Sequence, residues 1–396
     1  MIESRYARYK KIFAGVPKPF AFLDLDLLRE NIKDIQDRSR GKNVRIASKS
    51  IRSVPVLRLI LESGEPFRGV MCYSPLEALF LAEQGFDDLL IAYPAWEKEH
   101  LRSVAARVNA GKCITLMVDS PPHVDRLEQV GREQGVCLPV CLDLDVSVSL
   151  PGLHFGVHRS PLSTRDSFLE TAKRIHDAKH LRLDGIMGYE AQVAGVGDRV
   201  PGQFIKNGLI RLLKKHSISR TARIRKEWTA ALEELGLSPR FINGGGTGSL
   251  AETAREDVVT EVTVGSGFYS PALFDHYRSF CYQPAAGFAL EVTRHPRPGI
   301  YTCAGGGYIA SGAAGADRLP RPYLPAGARL TSLEGAGEVQ TPLRLREGEL
   351  SLGDPVFFRH AKAGELCEHF NELWVISDGE PIDRYLTYRG MGACFL

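Results

Sequence analysis

The sequence predicts an α/β fold in which a closed (β/α)8 barrel of the TIM type is followed by a β-rich domain. Eight short apolar runs alternate with amphipathic stretches over about 240 residues, which is the pattern of repeated β/α units. From about Cys281 onward, extended runs broken by Gly and Pro replace the helical periodicity. We therefore expect a barrel over residues 28–278 and a β-rich domain over residues 279–396 together with 1–27. A doubly wound open sheet is the alternative for the first part.

Each strand of the predicted barrel is a short apolar run, and the segments between most of these runs have helical patterns. One such helix follows Tyr73, where Ser74 can cap the helix, Pro75 fits its first turn and Gly85 can end it. The eight strand candidates are residues 44–49, 67–73, 88–93, 114–119, 136–145, 181–189, 240–243 and 261–264.

The charge balance argues against a nucleic-acid-binding protein. The chain has 50 Lys and Arg against 47 Asp and Glu, a net charge of +3, and its basic residues are scattered. No apolar run approaches the roughly 18 residues that cross a bilayer, and the charged N-terminus lacks a signal-peptide core. We expect a cytoplasmic enzyme that acts on a small molecule, without a nucleic-acid or membrane partner.

The stretch V-R-I-A-S-K-S-I-R, residues 44–52, places Lys49 at the carboxyl end of the first predicted strand. The functional groups of (β/α)8 barrels gather at this end of the strands, because the loops there form the open face. Taken alone, Lys49 is better interpreted as a surface lysine just after a strand. Its position becomes informative only together with the loops that follow the seventh and eighth strands.

Two glycine-rich segments follow those last two strands. They are N-G-G-G-T-G-S at residues 243–249 and V-G-S-G-F-Y at 264–269. Consecutive glycines let backbone N–H groups turn toward one point and hold a phosphate. Neither segment matches the nucleotide-binding patterns G-x-x-x-x-G-K-S/T or G-x-G-x-x-G. A lysine amine facing a phosphate site is what pyridoxal 5'-phosphate requires.

Five motifs occur in the order K-P-F-A-F-L-D-L-D-L-L-R-E-N-I, A-S-K-S, G-I-M-G-Y-E, N-G-G-G-T-G-S and E-V-T-V-G-S-G-F-Y. This order resembles the alanine racemase-like fold-type III pyridoxal phosphate enzymes, over roughly residues 18–275. The likeness is greatest to the branch of D-threonine aldolase and D-serine dehydratase. It implies a lyase of D-configured 3-hydroxy amino acids, acting by retro-aldol cleavage or by dehydration and deamination. The alternatives are an amino acid racemase, a non-catalytic pyridoxal phosphate carrier, or a sugar-phosphate aldolase that uses Lys49.

The resemblance also implies the roles of individual residues. Lys49 would form the Schiff base, and Tyr189 would act beside it in catalysis. The arginine expected after the fifth strand is replaced by His154, which holds a ring oxygen less strongly than a guanidinium does; Arg159 lies close enough to substitute. The cofactor-binding residues would be Lys49, His154, Arg159, Tyr189, Asn243, Gly244, Gly245, Gly246, Thr247, Gly265, Ser266 and Tyr269.

Relatives of this branch bind a divalent metal near the C-terminus and form head-to-tail homodimers. With Asn371 as the register mark, Glu365 and Cys367 fall on the metal-binding positions, and His369 lies two residues further. On a strand, these three side chains would share one side and would suit zinc, or else manganese or magnesium. The alternative is an ordinary edge of the β-rich domain with a buried cysteine.

Overall fold

The computed structural model describes residues 2–395, apart from the side chains of residues 2–4, 150 and 153. In chain order, its strands are β1 (Phe20–Asp24), β2 (Asn43–Ala47), β3 (Phe67–Cys72), β4 (Leu89–Ile91), β5 (Ile114–Val118), β6 (Leu138–Asp143), β7 (Val148–Leu150), β8 (Leu153–Phe155), β9 (Leu181–Gly188), β10 (Phe241–Gly244), β11 (Glu261–Val264), β12 (Ala286–Arg297), β13 (Ile300–Ala304), β14 (Arg321–Leu324), β15 (Arg329–Leu330), β16 (Gln340–Arg344), β17 (Pro355–Arg359), β18 (Glu372–Ser377) and β19 (Glu380–Leu386).

The α-helices lie mainly in the first two thirds of the chain. They are α1 (Ile2–Ile12), α2 (Leu25–Ser39), α3 (Val54–Glu62), α4 (Pro75–Glu83), α5 (Lys98–Asn109), α6 (Pro121–Gln134), α7 (Arg165–Asp177), α8 (Ala191–Ala194), α9 (Phe204–Glu234), α10 (Leu250–Thr253), α11 (Ser266–Tyr269) and α12 (Leu366–His369). Within residues 2–395, no helix combines the length and the apolar character needed to cross a membrane.

Eight parallel strands close into a barrel in the order β2, β3, β4, β5, β6, β9, β10 and β11. The last strand pairs with the first, from Glu261 opposite Asn43 to Val264 opposite Ile46. Parallel neighbours require crossover connections, which the intervening helices supply. The predicted barrel is therefore confirmed, and the open doubly wound sheet is wrong, because the first and last strands are hydrogen-bonded to each other.

The predicted strand positions agree with the barrel, but several strands end earlier in the structure than predicted. The first strand was expected to include Lys49, whereas β2 stops at Ala47 and residues Ser48–Ser50 form a single 3-10 turn. The hydroxyl of Ser48 donates to the Met71 carbonyl at 2.8 Å, and the Ile51 N–H donates to the Ser48 carbonyl at 2.8 Å. These bonds turn the backbone out of the sheet, so Lys49 stands just beyond the strand.

The predicted helix after Tyr73 is also confirmed in detail. It begins at Pro75, and the Ser74 hydroxyl accepts a hydrogen bond from the Glu77 N–H at 3.2 Å. Gly85 follows the helix with a φ of +90°, a conformation that favours glycine.

A second sheet contains strands from both ends of the chain. Its order is β15, β16, β13, β12, β1, β18 and β19, and β17 pairs with both β12 and β14. Strand β1 lies between β12, which runs antiparallel to it, and β18, which runs parallel. The sheet-rich C-terminal part is confirmed. The domain limits 28–278 and 279–396 with 1–27 stay predictions, although the place of β1 agrees with them.

The barrel interior accommodates a fully buried arginine on β2. Arg45 Nε donates to Glu261 Oε1 at 2.7 Å, and its Nη2 lies 3.1 Å from Asp88 Oδ1. A buried guanidinium is tolerated only when carboxylates and other acceptors surround it. This ionic cluster explains how the apolar strand V-R-I-A can include a charged residue.

Candidate active site

A cavity of about 510 Å³ lies at the carboxyl ends of the barrel strands, within the usual range for small-molecule sites. Its wall includes Lys49 beyond β2, Tyr189 beyond β9, Gly245 to Thr247 beyond β10, and Gly265 with Ser266 beyond β11. The structure thus brings together the lysine and both glycine-rich segments that the sequence pointed to.

The turn that carries Lys49 contacts the second glycine-rich segment directly. The hydroxyls of Ser50 and Ser266 are 3.4 Å apart. A Cβ added to Gly265 would lie 2.7 Å from Ser50 Oγ and 2.9 Å from the Cβ of Ala47. Glycine is therefore required at position 265, because a side chain there would push the two turns apart.

The first glycine-rich segment differs from the expected phosphate nest. The N–H of Gly245 donates to Glu190 Oε2 at 3.3 Å, and the N–H of Gly246 donates to Ser249 Oγ at 3.1 Å. Gly244 faces the guanidinium of Arg225 and does not line the cavity. The expectation that the whole 244–247 backbone turns its N–H groups toward one anion is therefore wrong at Gly245 and Gly246.

The glycines of this segment instead allow close packing. A Cβ on Gly246 would lie 2.7 Å from the Cβ of Ala194 and 3.1 Å from Cε2 of Tyr189. Gly245 has a φ of +85°, which other residues adopt at a cost. Thr247 lies in the cavity wall, and its hydroxyl accepts the N–H of Gly267 at 3.0 Å, which ties the two glycine-rich segments together.

Glu190 does not line the cavity, but it is hydrogen-bonded to the first glycine-rich segment. This buried carboxylate is bonded to the Arg225 guanidinium and to the hydroxyls of Thr253 and Ser249, the last at 2.7 Å. Burial alone would raise the pKa of Glu190, but Arg225 and the hydroxyl donors lower it below its usual value. The only sequence signal for this role was a charged residue in the otherwise uncharged stretch G-Y-E-A-Q.

Arg159 lines the cavity together with Tyr93. Its Nε donates to Asp143 Oδ2 at 2.6 Å and its Nη2 donates to the Ala92 carbonyl at 2.6 Å. The guanidinium carbon lies 4.8 Å from the centre of the Tyr93 ring, and Lys49 Nζ lies 6.0 Å from it. Tyr93 was missed at the sequence level, although it stands at the predicted end of a strand.

Two of the phenols that line the cavity, Tyr93 and Tyr189, have pKa values that move in opposite directions. Burial alone would raise the pKa of Tyr93, but the neighbouring Lys49 and Arg159 cations lower it below its usual value. Burial, with a further contribution from Glu190, raises the pKa of Tyr189 to about 12. Tyr189 therefore stays a neutral hydrogen-bond donor, whereas Tyr93 is the phenol that loses its proton more readily.

Asn243 lies in the cavity wall and is fixed by polar contacts on β11. Its Nδ2 donates to Glu261 Oε1 at 2.7 Å and contacts the Thr263 hydroxyl at 2.8 Å. Glu261 is itself bonded to Arg45, so the ionic cluster inside the barrel reaches the cavity through Asn243.

Besides Gly244, two further predicted cofactor-binding residues lie away from the cavity. His154 is exposed on the hairpin of β7 and β8, where its ring stacks on His158 at 4.2 Å. Tyr269 is buried, and its hydroxyl donates to the Ile51 carbonyl at 3.2 Å. Neither residue lines the cavity. Of the two basic candidates after the fifth barrel strand, Arg159 reaches the site and His154 does not.

The expected metal ligands do not come together. The prediction that Glu365, Cys367 and His369 lie on one strand is wrong, because Leu366–His369 is a short helix. Alternate residues of a helix point in different directions. Across residues 2–395, no group of three or more His, Cys, Asp or Glu side chains is arranged to hold a metal ion.

Each of the three side chains has a different neighbour. Glu365 Oε1 accepts the N–H groups of Ala361 at 2.6 Å and Lys362 at 3.1 Å, and burial raises the pKa of this carboxyl to about 7. Cys367 Sγ donates to the Ile51 carbonyl at 3.3 Å. The exposed ring of His369 stacks on Tyr308 at 4.6 Å.

A (β/α)8 barrel with a lysine and glycine-rich turns at its open end, joined to a second sheet, defines the class of alanine racemase-like proteins. Residues 23–272 match the family described as alanine racemase, N-terminal domain. The match covers more than half of the chain, so the chain belongs to this family.

Individual relatives are more distant. The chain is 26% identical to 3-hydroxy-D-aspartate aldolase of Paracoccus denitrificans (strain Pd 1222) over 253 residues, 63% of this chain and 60% of that protein. The match thus spans less than two thirds of the curated relative. Among solved structures, D-threonine aldolase from Filomicrobium marinum has a TM-score of 0.82 at 18% identity, covering 96% of each chain. D-threo-3-hydroxyaspartate dehydratase from Delftia sp. HT23 has a TM-score of 0.77 at 20% identity, covering 95% of this chain and 98% of that one.

Proposed function

We propose that this protein is a pyridoxal 5'-phosphate-dependent lyase of D-configured 3-hydroxy amino acids. It would act by retro-aldol cleavage or by dehydration followed by deamination. The observation that carries the proposal is the shared cavity wall of Lys49 and the two glycine-rich segments. The names of the relatives, an aldolase and a dehydratase of such amino acids, agree with it.

The chemistry of the cavity wall fits this cofactor. Lys49 supplies the amine for its aldehyde, and the hydroxyls of Ser50, Thr247 and Ser266 with the small Gly265 supply the surroundings of its phosphate. Arg159 supplies a fixed cation for the ring oxygen. When bound, the cofactor withdraws electrons from the substrate Cα and so permits a bond at that carbon to break.

The protein side chains would then handle the protons. In the aldol route, the phenolate of Tyr93 would take the proton of the 3-hydroxyl group, and the lowered pKa of Tyr93 favours this ionised form over the phenol. In the dehydration route, the amine of Lys49 removes the proton from Cα. Tyr189 stays protonated and donates a hydrogen bond within the cavity. A divalent metal is not part of this proposal, because Glu365, Cys367 and His369 point apart.

The test is direct. The purified protein, incubated with pyridoxal 5'-phosphate, is expected to show an absorbance band that borohydride removes. A panel of D- and L-3-hydroxy amino acids is then scored separately for aldehyde, for ammonia and for the inverted enantiomer. Aldehyde or ammonia from D-substrates supports a lyase. Inversion without either product would make the protein a racemase, and a cofactor band without any turnover would make it a carrier.

The homodimer is proposed as well, and an exposed apolar stripe on α9 supports it. Ile205, Leu209 and Leu212 recur at helical spacing, and they are exposed by 92%, 54% and 66% respectively. They lie in the first three turns of α9, the helix that follows β9 and the short α8. Sedimentation of the wild type and of Ile205→Asp is expected to give a dimer and a monomer. A monomeric wild type would overturn the proposal. The cytoplasmic location stays a prediction.

A further inference from the structure

The turn that carries Lys49 is closed by a side chain from a little further along the chain. Arg52 Nε donates to the Lys49 carbonyl at 3.0 Å, so the guanidinium reaches back over the turn. Its Nη1 donates to Glu368 Oε1 on α12, in the C-terminal part of the chain. Arg52 therefore joins the backbone of the proposed cofactor lysine to a helix that lies outside the barrel sequence.

Arg52 is buried, which is unusual for an arginine. It is 7% exposed, and its guanidinium carbon lies 5.3 Å from the centre of the ring of Tyr73, a residue of the cavity wall. A guanidinium presents its N–H donors in one plane, so two acceptors in different directions and a ring face hold it in a single orientation. A guanidinium fixed in this way also fixes the carbonyl that it binds.

The backbone at Arg52 has an uncommon conformation. Its φ of +47° lies in the left-handed region, which residues other than glycine adopt at a cost. Such conformations persist where surrounding contacts maintain them, and they are frequent at functional sites. Here the Arg52 carbonyl accepts the N–H of Tyr388 at 2.8 Å. The C-terminal part of the chain thus maintains the backbone conformation at the end of the Lys49 turn.

The same turn is packed closely against Gly364. A Cβ added to Gly364 would lie 2.4 Å from the Lys49 carbonyl oxygen and 3.2 Å from Arg52 Nε. Gly364 also has a φ of +92°, so both the space and the backbone conformation require glycine. These contacts are to the backbone of the turn, whereas the Lys49 side chain extends to the cavity, with Nζ 6.0 Å from the centre of the Tyr93 ring.

We propose that Arg52, anchored by Glu368, is a positioning residue that holds the Lys49 turn so that its amine meets the cofactor aldehyde. This inference rests on the proposed function and adds to it a residue that does not itself line the cavity. The amine of a lysine sits on a flexible four-carbon stem, so the place of its backbone limits where it can reach. A displacement of about 1 Å at a reacting group can cost on the order of 100-fold in rate.

The first test measures how strongly the protein holds the cofactor. Pyridoxal 5'-phosphate is titrated into cofactor-free wild type, Arg52→Gln and Arg52→Lys, and the absorbance band gives the dissociation constant. We expect this constant to rise about 10-fold in Arg52→Gln. Arg52→Lys is expected to recover part of the loss, because one ammonium can satisfy only one of the two acceptors.

The matched control is Arg384→Gln. Arg384 likewise contacts a carboxylate and a ring face, with Nη1 3.2 Å from Glu372 Oε1 and its guanidinium carbon 3.8 Å from the centre of the Trp374 ring. It lies on β19 of the second sheet and does not line the cavity. Its loss should leave the dissociation constant of the cofactor unchanged. Equal weakening by Arg384→Gln and Arg52→Gln would overturn the proposal.

The second test follows the turn itself without cofactor. Arg52→Gln removes the donor to the Lys49 carbonyl, so the backbone amides of residues 49–53 should exchange with deuterium at least about 10-fold faster. Mass spectrometry of the peptide that contains them is the measurement. Faster exchange with an unchanged dissociation constant would overturn the proposal, because Arg52 would then support the fold alone. Unchanged exchange would overturn it as well.

These measurements separate the inference from the proposed function. If the wild type shows no absorbance band, the proposed function is overturned, and amide exchange still shows whether Arg52 holds the turn. If Arg52→Gln does not fold, Glu368→Gln decides, because it removes the charge of the anchor and keeps its size. We expect the same two changes in Glu368→Gln, each roughly 3-fold. Unchanged values in this variant would overturn the proposal.

Discussion

The barrel mouth and the C-terminal segment that faces it bring their residues to the cavity in different ways. At the mouth, Lys49, Tyr93, Tyr189 and the glycine-rich turns occur where parallel strands end. The facing segment contributes Arg318, at the end of a 3-10 turn before β14, and Lys362, in the loop between β17 and α12. Neither residue follows a barrel strand. A site placed by strand ends can be predicted from apolar periodicity, whereas a site placed by loops depends on tertiary contacts that periodicity does not show.

The largest effect is expected at Lys49, and it tests the barrel side of this comparison. Lys49→Ala should remove the absorbance band of the bound cofactor and reduce turnover by at least about 1,000-fold, because the amine that holds the cofactor is lost. Absorbance spectra and steady-state rates are the measurements. Lys179→Ala, an exposed lysine before β9 at the other end of the barrel, is the control and should behave as the wild type. An unchanged spectrum in Lys49→Ala would refute the assignment.

The next effect concerns the carboxylate behind the first glycine-rich segment. Glu190→Ala removes one of the two carboxylates paired with the buried Arg225, which keeps Glu256 at 2.6 Å, and it leaves the hydroxyls of Ser249 and Thr253 without their acceptor. We therefore expect the free energy of unfolding to fall by about 3 kcal/mol. Denaturant titration measures this change. Glu234→Ala breaks an exposed ion pair with Arg165 and should cost less than about 1 kcal/mol. Equal losses in the two variants would show that Glu190 does not support the turn.

A smaller effect, dependent on pH, is expected in the facing segment. The pKa of Glu365 is about 7 in the folded protein, above its ordinary value of 4.5. Between these values the folded state keeps a proton that the unfolded state has lost, so this group makes stability fall as pH rises through that window. Glu365→Gln should match the wild type below pH 4.5 and exceed it above pH 7 by on the order of 2 kcal/mol.

Unfolding titrations at pH 4.5, 6 and 8 measure this difference. Exposed Glu347→Gln is the control and should show no pH-dependent difference. A constant offset between Glu365→Gln and the wild type at all three pH values would contradict the raised pKa.

The smallest effect is expected from metal removal. Because Glu365, Cys367 and His369 face different neighbours, exhaustive dialysis against a chelator should change turnover by less than about 2-fold. Elemental analysis before and after dialysis confirms that removal succeeded. Loss of activity that zinc or manganese restores would show that a metal site forms, and that the facing segment rearranges to make it.

Sequence patterns indicated the barrel residues that line the cavity, but not the residues of the facing segment, for physical reasons. Lys49 and the glycine-rich segments were found because barrel strands deliver residues to one face. The N–H directions of Gly245 and Gly246 were not foreseen, because they depend on Glu190 and Ser249. Residues 366–369, expected to be part of a strand, form a helix. Counting residues back from Asn371 could not distinguish a strand from a helix.

The place of β1 restricts how this protein can be divided or assembled. Because Phe20–Asp24 is the strand between β12 and β18, the C-terminal sheet remains incomplete until residues from opposite ends of the polypeptide have met. A recombinant fragment that starts after the barrel would expose two unpaired strand edges and would tend to aggregate. During synthesis, β1 is made early and remains without its strand neighbours until β12 and then β18 have been made.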